Sequence, residues 1–168
     1  VGTPRQWDAE ADLRAAGSQP VPVEQAFFVL DLVDGFSDPM VARSCDFLAS
    51  ITTPQGGVPF AVTGLENYPR TPWWEASQTA NLNPTTSLAG LLLKHNIQHP
   101  WVKRAAAFCR AAIEAFDGCQ YHDIISIVTF LEHTPDRPWA QTQLDRILNR
   151  LPASGSIALD PDAPGYAQ

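Results

Sequence analysis

The sequence predicts an all-α fold built from two-layered helical hairpin repeats, and three observations predict it. The first is a helix-opening signal used three times: Asp38-Pro39-Met40, His99-Pro100-Trp101 and Arg137-Pro138-Trp139 each place a polar residue before proline and an apolar residue after it. Proline suits the first helical position, because its missing N–H would have no partner there and its φ is already near helical. The second is the amphipathic run that follows each opening. The third is an almost wholly apolar segment ahead of each opening, and such a segment needs cover on every side, whereas a striped helix needs it only on its stripe. Apolar helices inside and striped helices outside satisfy both needs. The closed form of that arrangement is an α/α toroid, and three hairpins make a partial one, an open half ring.

Each element is argued from its residues. Val1 to Pro22 holds one short helical candidate, Gln6 to Ala16, followed by the loop Gly-Ser-Gln-Pro. Val23 to Val33 is apolar on most sides and reads as an inner helix closed by Gly35. Asp38-Pro39 opens the next, which runs to about Ile51 with Val41, Cys45, Leu48 and Ile51 as its stripe. About thirty residues without helical pattern follow, through Asn83, far longer than the usual connection between packed helices.

Asn83-Pro84 reopens helix, apolar nearly all round from Ser87 to Leu93. Pro100 to about Phe116 is the clearest amphipathic helix, with Trp101, Ala105, Phe108, Ala112 and Ile113 opposed to Lys103, Arg110 and Glu114. Asp123 to Leu131 is again apolar on most sides, and its β-branched residues keep a strand open as an alternative. Arg137-Pro138 starts the last helix, to about Leu151, and residues 152–168 read as an irregular tail. The 168 residues form a single domain on this reading, itself open to being part of a longer chain.

Composition narrows the function classes. The net charge is −7, and the eleven Lys and Arg are scattered, so the clustered positive face that nucleic-acid phosphates need is missing. No apolar run approaches the roughly 20 residues that span a bilayer. Cys45, Cys109 and Cys119 are odd in number with no C-x-x-C pair, and no signal-peptide pattern precedes them, so a reducing cytoplasm is expected. No G-x-S-x-G or H-E-x-x-H is spelled, so no catalytic residue is assigned and enzyme status stays open.

Phe47-Leu-Ala-Ser-Ile-Thr-Thr-Pro-Gln-Gly-Gly57-Val resembles the prenyltransferase and squalene-oxidase repeat of the terpenoid-cyclase and protein-prenyltransferase toroids. The match rests on Phe47, Leu48, Pro54, Gln55, Gly56 and Gly57, with Val58 where an aromatic residue is usual. It implies an α/α toroid that handles a hydrophobic, isoprenoid-type ligand. The Asp-x-Asp-Asp acid of the cyclases is missing; Asp160-Pro-Asp162 is its nearest spelling.

Asp117-Gly-Cys119-Gln-Tyr121 resembles the Asp-x-Cys-Tyr segment that supplies zinc ligands in the protein prenyltransferases, though Gln120 intervenes before the tyrosine. The resemblance implies a candidate zinc set of Asp117, Cys119 and the adjacent His122. The competing reading is a helix stop and restart, and no other cofactor is expected. The glycine pair likewise reads either as a tight turn after a helix or as a pocket border.

The aromatic loop is the candidate ligand site: Phe60, Tyr68, Arg70, Trp73 and Trp74. Its rings should either cap the helical core or line a pocket together with Phe27, Leu91 and Ile127, and Arg70 could meet a diphosphate. The partner expected is a hydrophobic or isoprenoid small molecule. The alternative is a non-catalytic repeat domain whose apolar edge meets a second copy or the missing half of a ring.

Overall fold

The computed structural model describes residues 13, 15–71 and 73–151. Among them the regular structure is all helical: α1 (Pro20–Leu32), α2 (Pro39–Ser50), α3 (Leu82–Lys94), α4 (Pro100–Ala115), α5 (Tyr121–His133) and α6 (Arg137–Leu148). Most of the Gln6–Ala16 candidate, the 152–168 tail and Asp160-Pro-Asp162 lie outside the described residues.

α1, α3 and α5 form a row, with α3 packed against both of the others. Behind the row, α2 packs on α1, α4 on α3 and α6 on α5, and α2 also meets α4. Each inner helix is therefore followed in the chain by its own backing helix.

Side-chain caps explain where the backing helices begin. The Asp38 carboxylate accepts from the Met40 N–H at 2.7 Å, and His99 Nδ1 accepts from the Trp101 N–H at 3.2 Å. The third helix opens at Arg137-Pro138 as predicted, one residue after its cap. The cap is Asp136, whose carboxylate accepts from the Trp139 N–H at 3.2 Å, and Arg137 is already helical. A cap must accept hydrogen bonds, and a guanidinium has only donors.

α5 resolves the strand alternative. Its buried residues are Ile124, Ser126, Ile127, Phe130 and Leu131, a three-and-four spacing that a helix puts on one face and a strand would split between two. α3 is buried from Pro84 through Leu92, as an apolar inner helix should be. α1 departs from that expectation: Phe27 is in the core, but Val29 is 58% exposed and Leu32 84% exposed. Among the described helices α3 has a neighbour on each flank, whereas α1 stands at the end of the row.

Close approach of α3 and α5 depends on Gly90. A Cβ there would lie 2.5 Å from the Thr129 carbonyl oxygen, a backbone atom that cannot swing aside. The Gly56-Gly57 pair serves the turn after α2. Gly56 has φ +103°, a conformation favoured by glycine, and its N–H donates to the Thr53 carbonyl at 3.0 Å. Neighbouring Gly57 sits so close to the Phe108 ring that a Cβ would be 2.7 Å from it. The pair thus seats the chain against α4.

The long connection from α2 to α3 is folded. Ala61, Leu65 and Trp74 form a second small core, against which Val21 and Phe60 pack. Buried Gln19 clasps it at both ends of one residue: its Oε1 accepts from the Val62 N–H at 2.8 Å, and its Nε2 donates to the Val62 carbonyl at 3.2 Å. The loop is thereby held over the start of α1.

Candidate functional site

The first turns of all three inner helices open onto one cavity of about 600 Å³. α1 contributes Val21, Glu24, Gln25 and Phe28, α3 contributes Asn83 and Ser87, and α5 contributes His122, Ile125 and Ser126. The long loop supplies the remaining wall with Phe60, Trp73 and Trp74. Such a volume is in the range of small-molecule sites, and its apolar lining with a few polar groups is typical of them.

The aromatic wall is half core and half surface. Trp74 is 7% exposed, with its ring 5.1 Å from that of Phe60, while Trp73 is 55% exposed. Trp74 belongs to the small loop core rather than to the main helical core, and both rings line the cavity.

The polar part lies where α1, α3 and α5 meet. Ser126 Oγ accepts from the Ser87 N–H at 3.0 Å and from Thr86 Oγ1 at 2.6 Å, and the Ser87 hydroxyl is 2.7 Å away. Beside them Glu24 is only 5% exposed. Burial pushes its carboxyl up to about 7, against the opposing effect of a hydrogen bond with Ser87. Among the described residues no cation is ion-paired with it. Half-buried Asp123 on α5 is also raised, first by desolvation, with a hydrogen bond from the Asn83 backbone opposing.

Other sequence-designated residues lie elsewhere. Arg70 donates from Nη1 to the carbonyls of Leu65, at 2.8 Å, and Glu66, at 3.2 Å, and neither it nor Tyr68 is in the cavity lining. The guanidinium is thus occupied in holding its own loop. Phe27, Leu91 and Ile127, expected in the cavity wall, are instead buried in the main core. Their helices do line the cavity, but through the adjoining faces that carry Glu24, Phe28, Ser87, Ile125 and Ser126. Inner helices were read as uniformly apolar, so the pattern did not mark which face opens onto space.

The three residues of the candidate zinc set are divided. Asp117 and Cys119 border a surface hollow with Ile147, Arg150 and Leu151, whereas His122 lines the cavity. Arg150 donates to the Asp117 carbonyl there. Among the described residues no group of three His, Cys, Asp or Glu side chains is placed to hold a metal ion.

Glu24 is the residue that sequence reasoning missed. The signal was present: it is the single charge between Val21 and Leu30, in a segment read as an inner helix. A charge in a buried segment needs an explanation. No helix among the described residues is long and apolar enough to cross a membrane. Compared with known proteins, the chain matches no family model, no curated protein and no solved structure.

Proposed function

We propose that this protein is a ligand-binding helical domain of the α/α-toroid type, which holds a small apolar molecule of isoprenoid character in the cavity at the head of α1, α3 and α5. The observation that carries the reading is the cavity itself: about 600 Å³, walled by Phe28, Phe60, Trp73 and Trp74. Aromatic walls offer large apolar area at little conformational cost. The row of inner helices, each backed by the next helix in the chain, supports the toroid relationship.

The test is direct, because Trp73 and Trp74 report on their own surroundings. Titration with farnesol, an uncharged isoprenoid alcohol, is expected to change the tryptophan emission saturably, and Trp73→Ala to weaken the binding. Emission that stays flat up to the solubility limit of farnesol rejects the reading.

A second reading is favoured by the open flank of α1, where Val29, Leu32 and Val33 are exposed. An apolar stripe at the end of a helical row is suited to self-association through that edge. Sedimentation of the wild type beside Leu32→Glu separates the two readings: a dimer dissociated by the substitution supports the edge, and a wild-type monomer at every concentration removes it.

A further inference from the structure

The charge of the cavity is one-sided. Its described lining holds one deeply buried carboxyl, Glu24, and no lysine or arginine. Desolvating a carboxylate is costly unless it is paired or protonated, and among the described residues Glu24 has the Ser87 hydroxyl to help it. The described lining offers that carboxyl no positive side chain buried beside it.

Three inner helices starting at one cavity would ordinarily attract an anion to their free N–H groups. Prolines take some of those donors from α1 and α3, while α5 keeps its own. Pro20 and Pro22 in the first turn of α1, and Pro84 in that of α3, have no N–H, and the Val23 N–H is bonded to the Gln19 carbonyl. The Asn83 amide is taken by Asp123. An anionic head group would meet the Glu24 carboxyl, whereas a cationic one would meet a carboxylate and an aromatic wall.

Resting on the small-molecule reading above, we infer that the ligand is an organic cation, an ammonium group on an apolar body, with Glu24 as its counter-ion and Trp73, Trp74 and Phe60 as its aromatic contacts. A cation over aromatic rings is favoured electrostatically, and more so where water is displaced. His122 is the basic side chain in the described lining, and it lies exposed on α5. The protein's overall net charge of −7 also favours the approach of a cation.

Three probes with the same eight-carbon chain test this: octylammonium, 1-octanol and octanoate, titrated by calorimetry at neutral pH against wild type and Glu24→Gln. The wild type is expected to bind octylammonium about tenfold more tightly than 1-octanol, a difference of the size that one desolvated cation contact supplies, and octanoate most weakly. Glu24→Gln should abolish the preference, so that octylammonium and 1-octanol bind the variant alike. If 1-octanol binds but octylammonium is no tighter, or octanoate is the tightest, the cation inference falls and the apolar cavity stands. If none of the three binds, both fall. Should Glu24→Gln fail to fold, the wild-type ranking of the three probes decides alone.

Discussion

Ser126 on α5 accepts a hydrogen bond at 3.0 Å from the backbone N–H of Ser87 on α3. A side chain of one inner helix thus satisfies the main chain of the next, at a level where Asn83, four residues before Ser87, leaves helical geometry with ψ 120°. The same oxygen also accepts from Thr86 Oγ1. It is the polar knot of the row and borders the cavity.

Ser126→Ala is expected to destabilise the fold by about 1–3 kcal/mol, because it strands the buried Ser87 amide, while the Thr86 hydroxyl keeps the Leu82 carbonyl as acceptor at 3.0 Å. Urea denaturation of the two proteins measures it. A loss under a few tenths of a kcal/mol would show that water takes over as acceptor.

Gly90→Ala is expected to be as costly or worse. The added methyl would lie 2.5 Å from the Thr129 carbonyl oxygen and 2.8 Å from the Thr129 carbonyl carbon, so α3 and α5 must separate. Overpacking of this kind costs about 1–3 kcal/mol. An alanine that leaves the denaturation midpoint unchanged would refute the close helix contact.

Glu24 makes stability depend on pH in a stated direction. Its carboxyl is raised from 4.5 to about 7 by folding, so between those values the folded protein holds a proton that the unfolded chain releases. Stability must therefore fall as pH rises through that window, by up to about 3 kcal/mol for this one group. Glu24→Gln, which stays neutral, is expected to lose that part of the slope and to gain on the wild type from pH 5 to pH 8. Parallel pH profiles for the two proteins would rule out a buried carboxyl at this position.

The caps give a smaller and separable effect. Asp38→Ala removes the acceptor for the Met40 N–H and should cost about 1 kcal/mol, while Asp38→Asn should cost much less. Asp136→Ala should cost more than Asp38→Ala, since Asp136 also pairs with Arg110 at 2.8 Å. Thermal melts of the three variants rank them, and an equal loss for both alanine variants would make the Arg110 pair inert, as exposed pairs often are.

Much of this architecture was legible before any coordinates. Helices start at Pro39, at Pro100 and at Arg137-Pro138 as the proline signal predicts, with Asp136 as the cap of the third. The aromatic loop was recognised as unusual, and Phe60, Trp73 and Trp74 do line the cavity. Arg70 and Tyr68 were indistinguishable from them in sequence, because adjacency along an irregular loop carries no information about which way a side chain faces. Asp117, Cys119 and His122 show the same limit: five residues of chain cross from one surface hollow to another.

The sequence by itself determined that the described chain is helical, where the proline-opened helices begin, and that apolar helices alternate with striped ones. Those properties are local, set by proline, capping side chains and a periodicity of three to four residues. Tertiary structure decided which faces meet and which stay open. It placed Glu24, Ser87 and Ser126 from three separate helices in one cavity, and it left Val29 and Leu32 uncovered because α1 stands at the end of its row. Spacing along one helix specifies a face, whereas neighbours distant in sequence specify what that face meets.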